Sequence, residues 1–161
     1  MATVPIEHRY SKILEKNPRE IVLLRGNGCK WRRCRFCDYH LDFCLDEKEN
    51  FLLNRQVIEQ ITGEFGRLEV INSGSFCDLD KETISLILEA CMTKQITTLY
   101  FECHWMHREL IADFRKKFTD AGITVKMKIC VETFVKEIYP LYKDDDRVDI
   151  LLNNTDFGVG V

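Results

Sequence analysis

The feature that most constrains this chain is an alternation of two periodicities. Apolar runs of strand length, rich in β-branched residues, occur at 20–26 ("EIVLLRG"), 68–75 ("LEVINSGS"), 96–102 ("ITTLYFE") and 123–132 ("ITVKMKICVE"). Between them lie stretches with helical spacing. In 54–65, Val57, Ile58 and Ile61 recur behind Asn54 as a candidate cap; 80–94 carries a stripe of Ile84, Ile87, Leu88 and Cys91; 107–122 ends on a glycine stop. A Pro-interrupted helical piece at 134–143 and a fifth strand at 147–154 complete the pattern. Such alternation implies βαβ units, a parallel sheet, and right-handed crossovers that place every helix on the outer side of a curling sheet. The expected fold class is α/β, a partial parallel βα barrel, because a closed barrel needs more units than these. One core domain over 1–161 is expected, with 1–19 as a polar N-terminal arm and the barrel incomplete after 154.

The loop after the first strand reads "GNGCKWRRCRFCDYH", with Cys29, Cys34 and Cys37 in a C-x4-C-x2-C array. A structural zinc site closes with four protein ligands, whereas a reactive metal site leaves a position open. His40 or Cys44 could close the array as a zinc site, which would make the protein a zinc-stabilised binding module without catalysis. Three thiolates can instead hold a [4Fe–4S] cluster by three irons and leave the fourth open. Five of the 23 Lys and Arg (Arg25, Lys30, Arg32, Arg33 and Arg35) surround the array, where their charge would offset that of cluster and thiolates. In βα barrels the functional loops follow the C-terminal ends of the strands. Asn72, Ser73 and Ser75 follow the second strand, Glu102 the third and Glu132 the fourth, so all converge on one rim. A catalytic site requires that convergence; a zinc staple does not.

Composition narrows the class. A net charge of −3 over 161 residues gives no basic footprint for duplex binding. The longest apolar runs fall far below the ~18 residues of a spanning helix, and "MATVPIEHRYSK" lacks the apolar stretch of a signal peptide. A cytoplasmic protein is expected. Cys44, Cys77, Cys91, Cys103 and Cys130 are scattered singly, and most of them read as small apolar packing residues.

The three-cysteine loop after a first strand, with Phe36 just before the last cysteine, resembles the radical SAM superfamily; its commonest spacing, C-x3-C-x2-C, is one residue shorter. "NSGSFCD" resembles the N-x-GSF-x-D turn of the branch holding the elongator catalytic subunit and the archaeosine synthase radical SAM subunit. "FECHWMHRELI" and "KICVET" resemble that branch's segments after the third strand and at the end of the fourth. The four motifs cover 20–133, and small single-domain chains bearing them resemble the queuine lyases of queuosine salvage. The resemblance implies a [4Fe–4S] cluster on Cys29, Cys34 and Cys37, and S-adenosylmethionine cleaved to a 5′-deoxyadenosyl radical. It implies a cofactor shell of Phe36, Ser73, Gly74, Ser75, Glu102 and Glu132. It also implies a reducing electron donor such as flavodoxin or ferredoxin, and C–N cleavage of queuine or a related 7-deazaguanine. Radical modification of a tRNA base is the other enzymatic expectation, with no appended RNA-binding domain to favour it.

Simpler roles stand beside these. Ser73, Gly74 and Ser75 are ordinary turn residues, and rim glutamates usually face water. His107 reads as part of a helix-start loop, while His104 is kept as a candidate substrate contact. Lys126 and Lys128 alternate with apolar residues, pointing either into the barrel or onto a wet face. The interior placement is expected for Lys128, nearer the rim.

Overall fold

The computed structural model describes residues 4–32 and 37–129. Five strands, β1 (Tyr10–Ile13), β2 (Arg19–Leu24), β3 (Arg67–Asn72), β4 (Thr98–Glu102) and β5 (Thr124–Lys128), form one sheet in chain order. Strands β2 to β5 are parallel, with Val22 opposite Val70, Val70 opposite Phe101 and Phe101 opposite Met127. Helices α1 (Glu47–Ile58), α2 (Lys81–Thr93) and α3 (Ile111–Thr119) fill the three crossovers. A parallel sheet in sequential order, covered by its crossover helices on one face, is the arc of a βα barrel; a doubly wound sheet would reverse its order.

The core shows why one face is covered. Val22, Leu24, Leu68, Val70, Leu99, Phe101 and Val125 from the sheet pack with Val57, Ile58, Ile61, Ile87, Cys91, Phe114 and Phe118. The aromatic knot of Phe76, Phe101, Phe114 and Phe118 has ring centroids 4.3 to 6.0 Å apart. Its tilted and edge-on contacts add to the burial of large apolar area.

Three expectations need correction. The segment 1–19 is not simply a polar arm, because β1 pairs antiparallel with β2, Tyr10 opposite Val22 and Ile13 opposite Arg19. Lys16 and Asn17, at φ 48° and 76°, make the turn between them. The first helix starts at Glu47 rather than 54, and its cap is Asp46, whose carboxylate accepts from the amides of Lys48 (2.9 Å) and Glu49 (3.2 Å). Asn54 instead lies wholly buried within the helix. The third helix opens as a 3-10 segment, Trp105–Leu110, and only Ile111–Thr119 is α-helical. The second fits its expected range, with Asp80 accepting from Thr83 N at 2.6 Å as its cap. The pieces expected at 134–143 and 147–154 lie outside the described residues.

Candidate active site

The loop that leaves β2 is held by the polar face of α1. Arg25 N donates to Asn54 Oδ1 and Asn54 Nδ2 donates back to Arg25 O, both at 2.8 Å. The buried Arg25 guanidinium donates to Asn50 Oδ1 (2.9 Å) and Glu49 Oε1 (2.7 Å), so its charge is met by α1 rather than directed at the cysteines. Asn50 Nδ2 also reaches Cys44 O at 2.7 Å. The loop then lies directly on the turn after β3. Gly26 N donates to Ser73 Oγ at 3.4 Å and Asn27 N to Asp78 O at 3.1 Å. A Cβ at residue 26 would stand 2.6 Å from Asp78 O, so only glycine permits this approach.

Cys29 and Cys37 are half-buried on this loop. Arg32 Nε donates to Cys29 O at 3.0 Å, and its guanidinium lies 4.7 Å above the Phe43 ring. Cys34 and Phe36 are outside the described residues, as is Glu132. Of the two residues that could close a zinc site, Cys44 is engaged at the start of α1, its Sγ 3.5 Å from Glu49 Oε2 and accepting from Asp46 N at 3.4 Å. His40 is described by its backbone alone.

The turn after β3 is built from side chains that bond inward. Ser73 and Ser75 are both buried. Ser75 Oγ accepts from His104 N at 2.9 Å, tying this turn to the segment after β4. Asp78 Oδ2 accepts from Ser75 N at 2.7 Å in a reciprocal capping box, and Asn72 Nδ2 donates to Ser75 O at 2.9 Å. A Cβ on Gly74 would fall 2.5 Å from Asp78 Oδ2. With both serine hydroxyls bonded inside, the turn presents a fixed backbone to the rim.

After β4, His104 caps the 3-10 segment, its Nδ1 accepting from Met106 N at 3.1 Å. Its ring lies 5.0 Å from that of Trp31, so the cysteine loop touches this segment too. Glu102 stands at the end of β4 opposite Lys128 on β5. Burial raises its carboxyl above the usual range; the Glu69 charge adds to this and Lys128 opposes it. Lys128 Nζ and Arg19 Nε both donate to Glu69, which is 3% exposed. Burial alone would raise Glu69, yet these two partners hold it below the usual range. Lys126 lies 5.6 Å from the Tyr100 ring. Lys126 and Lys128 therefore share the sheet face away from the helices with Tyr100, Glu69 and Glu102.

Reading the sequence missed several of these residues. Asp78 was legible only as the last letter of a motif, although an acid three residues after Ser75 is a capping-box spacing. Trp31 and Asn50 gave no signal and Asn54 read only as a helix cap, since their partners are distant in sequence. Glu69 lies inside an apolar run, where a lone carboxylate does mark a buried, partnered group.

No family model matches this chain, and no curated protein matches it. Among solved structures, a queuine lyase from Clostridium spiroforme bound to SAM and queuine matches with a TM-score of 0.79 and 43% identity over 89% of this chain. The chain spans 64% of the length of that protein. This neighbour is of the kind that the sequence resemblance named, and its TM-score shows that the fold described above is shared over the matched stretch.

Proposed function

We propose that this chain is the core of a radical SAM enzyme that acts on queuine, or a closely related 7-deazaguanine, as a lyase. The observation that carries the proposal is 43% identity to a queuine lyase bound to SAM and queuine, over 89% of this chain. The donor set suits a three-thiolate cluster: Cys29 and Cys37 lie half-buried on a loop braced by α1 and by the turn after β3, and Cys34 completes the array. A [4Fe–4S] cluster bound there would supply the electron that cleaves S-adenosylmethionine to the 5′-deoxyadenosyl radical.

The chain's own residues position and shelter. Ser73, Gly74 and Ser75 give the cofactor an unyielding backbone edge, because both serine hydroxyls and the Ser75 amide bond into the protein and Gly74 packs against Asp78. Phe36, next to the third cysteine in the sequence, and Glu132 are the further members of the cofactor shell that the sequence resemblance implies. Glu102 holds a proton more readily than an ordinary glutamate and sits beside the Lys128 ammonium. The pair suits an amine that must be bound and then released protonated. Lys128 and His104 are the candidate substrate contacts. The reaction takes place in the cytoplasm and draws its electron from a donor such as flavodoxin or ferredoxin. The substrate is the free base rather than tRNA, consistent with a net charge of −3.

Anaerobic iron and sulfide analysis, followed by incubation with S-adenosylmethionine and queuine, tests this reading. About four irons and four sulfides per chain, lost in Cys29→Ala, together with queuine-dependent 5′-deoxyadenosine, are expected. A colourless protein without iron, or 5′-deoxyadenosine that depends on tRNA instead of queuine, would overturn it.

A further inference from the structure

Beside the cysteine array, on the turns after β3 and β4, a second set of donors converges. Cys77 Sγ, one carboxylate oxygen of Asp78 and one ring nitrogen of His107 all lie within 4.8 Å of one another. They come from two segments that are already bonded to each other through Ser75 Oγ and His104 N. Asp78 is 5% exposed; its Oδ2 is taken up by the Ser75 amide, and its Oδ1 is buried without a hydrogen-bond partner. A buried carboxylate oxygen with no donor is costly, and such an atom calls for an ion or a water.

We propose that Cys77, Asp78 and His107 form a mononuclear site for a divalent cation of the zinc class, separate from the three cysteines of the array. Thiolate, imidazole and carboxylate are zinc's ordinary ligands, with bonds of about 2.0 to 2.3 Å. Three donors so spaced can close on one ion with small side-chain movements. The ion satisfies Asp78 Oδ1, and coordination releases the Cys77 thiol proton. Calcium and magnesium are disfavoured, because a thiol and an imidazole replace the oxygen ligands they need. The Lys30 ammonium, which acts on both Cys77 and His107, opposes the site; two anionic ligands outweigh it. Three protein ligands leave a fourth position open, as in zinc sites that hold water or substrate. The ion would clamp the "NSGSFCD" turn to the "HWMHREL" segment at the rim.

The test uses the full chain with its array loaded with iron and sulfide, equilibrated with Zn²⁺, desalted and analysed for zinc and iron together. One zinc per chain above the iron content is expected. Cys77→Ala and His107→Ala should each lower zinc retention by about 10-fold or more while iron stays unchanged. Cobalt binding gives a second readout: a thiolate-to-metal charge-transfer band present in wild type and His107→Gln but absent in Cys77→Ala. His107 is half-exposed, so its replacement tests the site even if Cys77→Ala folds poorly. Zinc retained equally by both variants, or no zinc retained by the wild type, would overturn the site. Because iron is read in the same samples, failure of the radical SAM reading would show separately as missing iron.

Discussion

The two faces of the sheet solve opposite problems. Toward the helices, Val22, Leu24, Val70, Leu99 and Phe101 are sealed, and the one carboxylate among them, Glu20, is fully buried. Four hydrogen bonds satisfy it: from Tyr10 Oη (2.7 Å), Thr62 N (2.7 Å), Thr62 Oγ1 (3.0 Å) and Gly63 N (2.8 Å). On the other face Arg19, Glu69, Tyr100, Glu102, Lys126 and Lys128 lie side by side. There Glu69 is paired, while Glu102 carries a burial cost its neighbours do not offset. On the helix face this carboxylate is kept with its bonds complete. On the open face an incomplete one is kept, which points to chemistry rather than folding.

Breaking the helix face should therefore cost stability. Phe101→Ala removes the centre of the aromatic knot and is expected to lower unfolding free energy by about 3 to 5 kcal/mol, measured by urea titration. Glu20→Gln should cost about 2 kcal/mol, since an amide cannot accept from every donor now facing the carboxylate. That variant also sharpens the pH dependence. Burial alone would raise the Glu20 carboxyl, but the bonds from Thr62, Tyr10 and Gly63 hold it below its usual value of 4.5. Its stabilisation is thus present above pH 4.5 and lost as pH falls through the lower folded value. The wild type should lose stability on acidification below that point, and Glu20→Gln should show a shallower loss. Equal slopes would mean that other carboxylates dominate acid unfolding.

The same contrast governs what could be read from the sequence. Strands β2 to β5 were legible as short, β-branched apolar segments bounded by turn signals, β5 through the alternation of Val125 and Met127 with Lys126 and Lys128. The cysteine array and the "NSGSFCD" turn were legible as spaced motifs. Strand β1 was not: "YSKI" is short and mostly exposed, and it is held by its pairing with β2. The first turns of α1 were missed because its inward positions include Asn50 and Asn54, polar residues buried to hold the Arg25 loop. A helix stabilised through side-chain bonds to a distant loop breaks the apolar stripe that sequence periodicity relies on. The Asp46 cap followed by Glu49 was the signal available for its start. The pairing of Lys128 with Glu69 across 59 residues depends on the register of two strands not adjacent to each other, which no local pattern contains.

On the open face, Lys128→Met should leave Glu69 its Arg19 partner. Stability should change by less than about 1 kcal/mol, because the Lys128 side chain is 41% exposed. Queuine-dependent 5′-deoxyadenosine formation should nevertheless fall by about 10-fold or more, ~1.4 kcal/mol in the barrier. A large drop in melting temperature with unchanged turnover would assign Lys128 to the fold instead.

Glu102→Gln carries the smallest effect on stability, and its sign is the most informative. A carboxyl whose folded value is raised disfavours the folded state once pH exceeds its ordinary value, and the deficit is complete above the raised one. Removing the charge should therefore raise the melting temperature slightly near pH 7 and leave it unchanged well below pH 4.5, where the carboxyl is protonated in either state. Turnover should drop in the same variant. Higher stability with lower activity is the signature of a group retained for its chemistry against the interest of the fold. If Glu102→Gln lowered the melting temperature at neutral pH, the carboxylate would be stabilising the rim, and the contrast between the two faces would not hold at this residue.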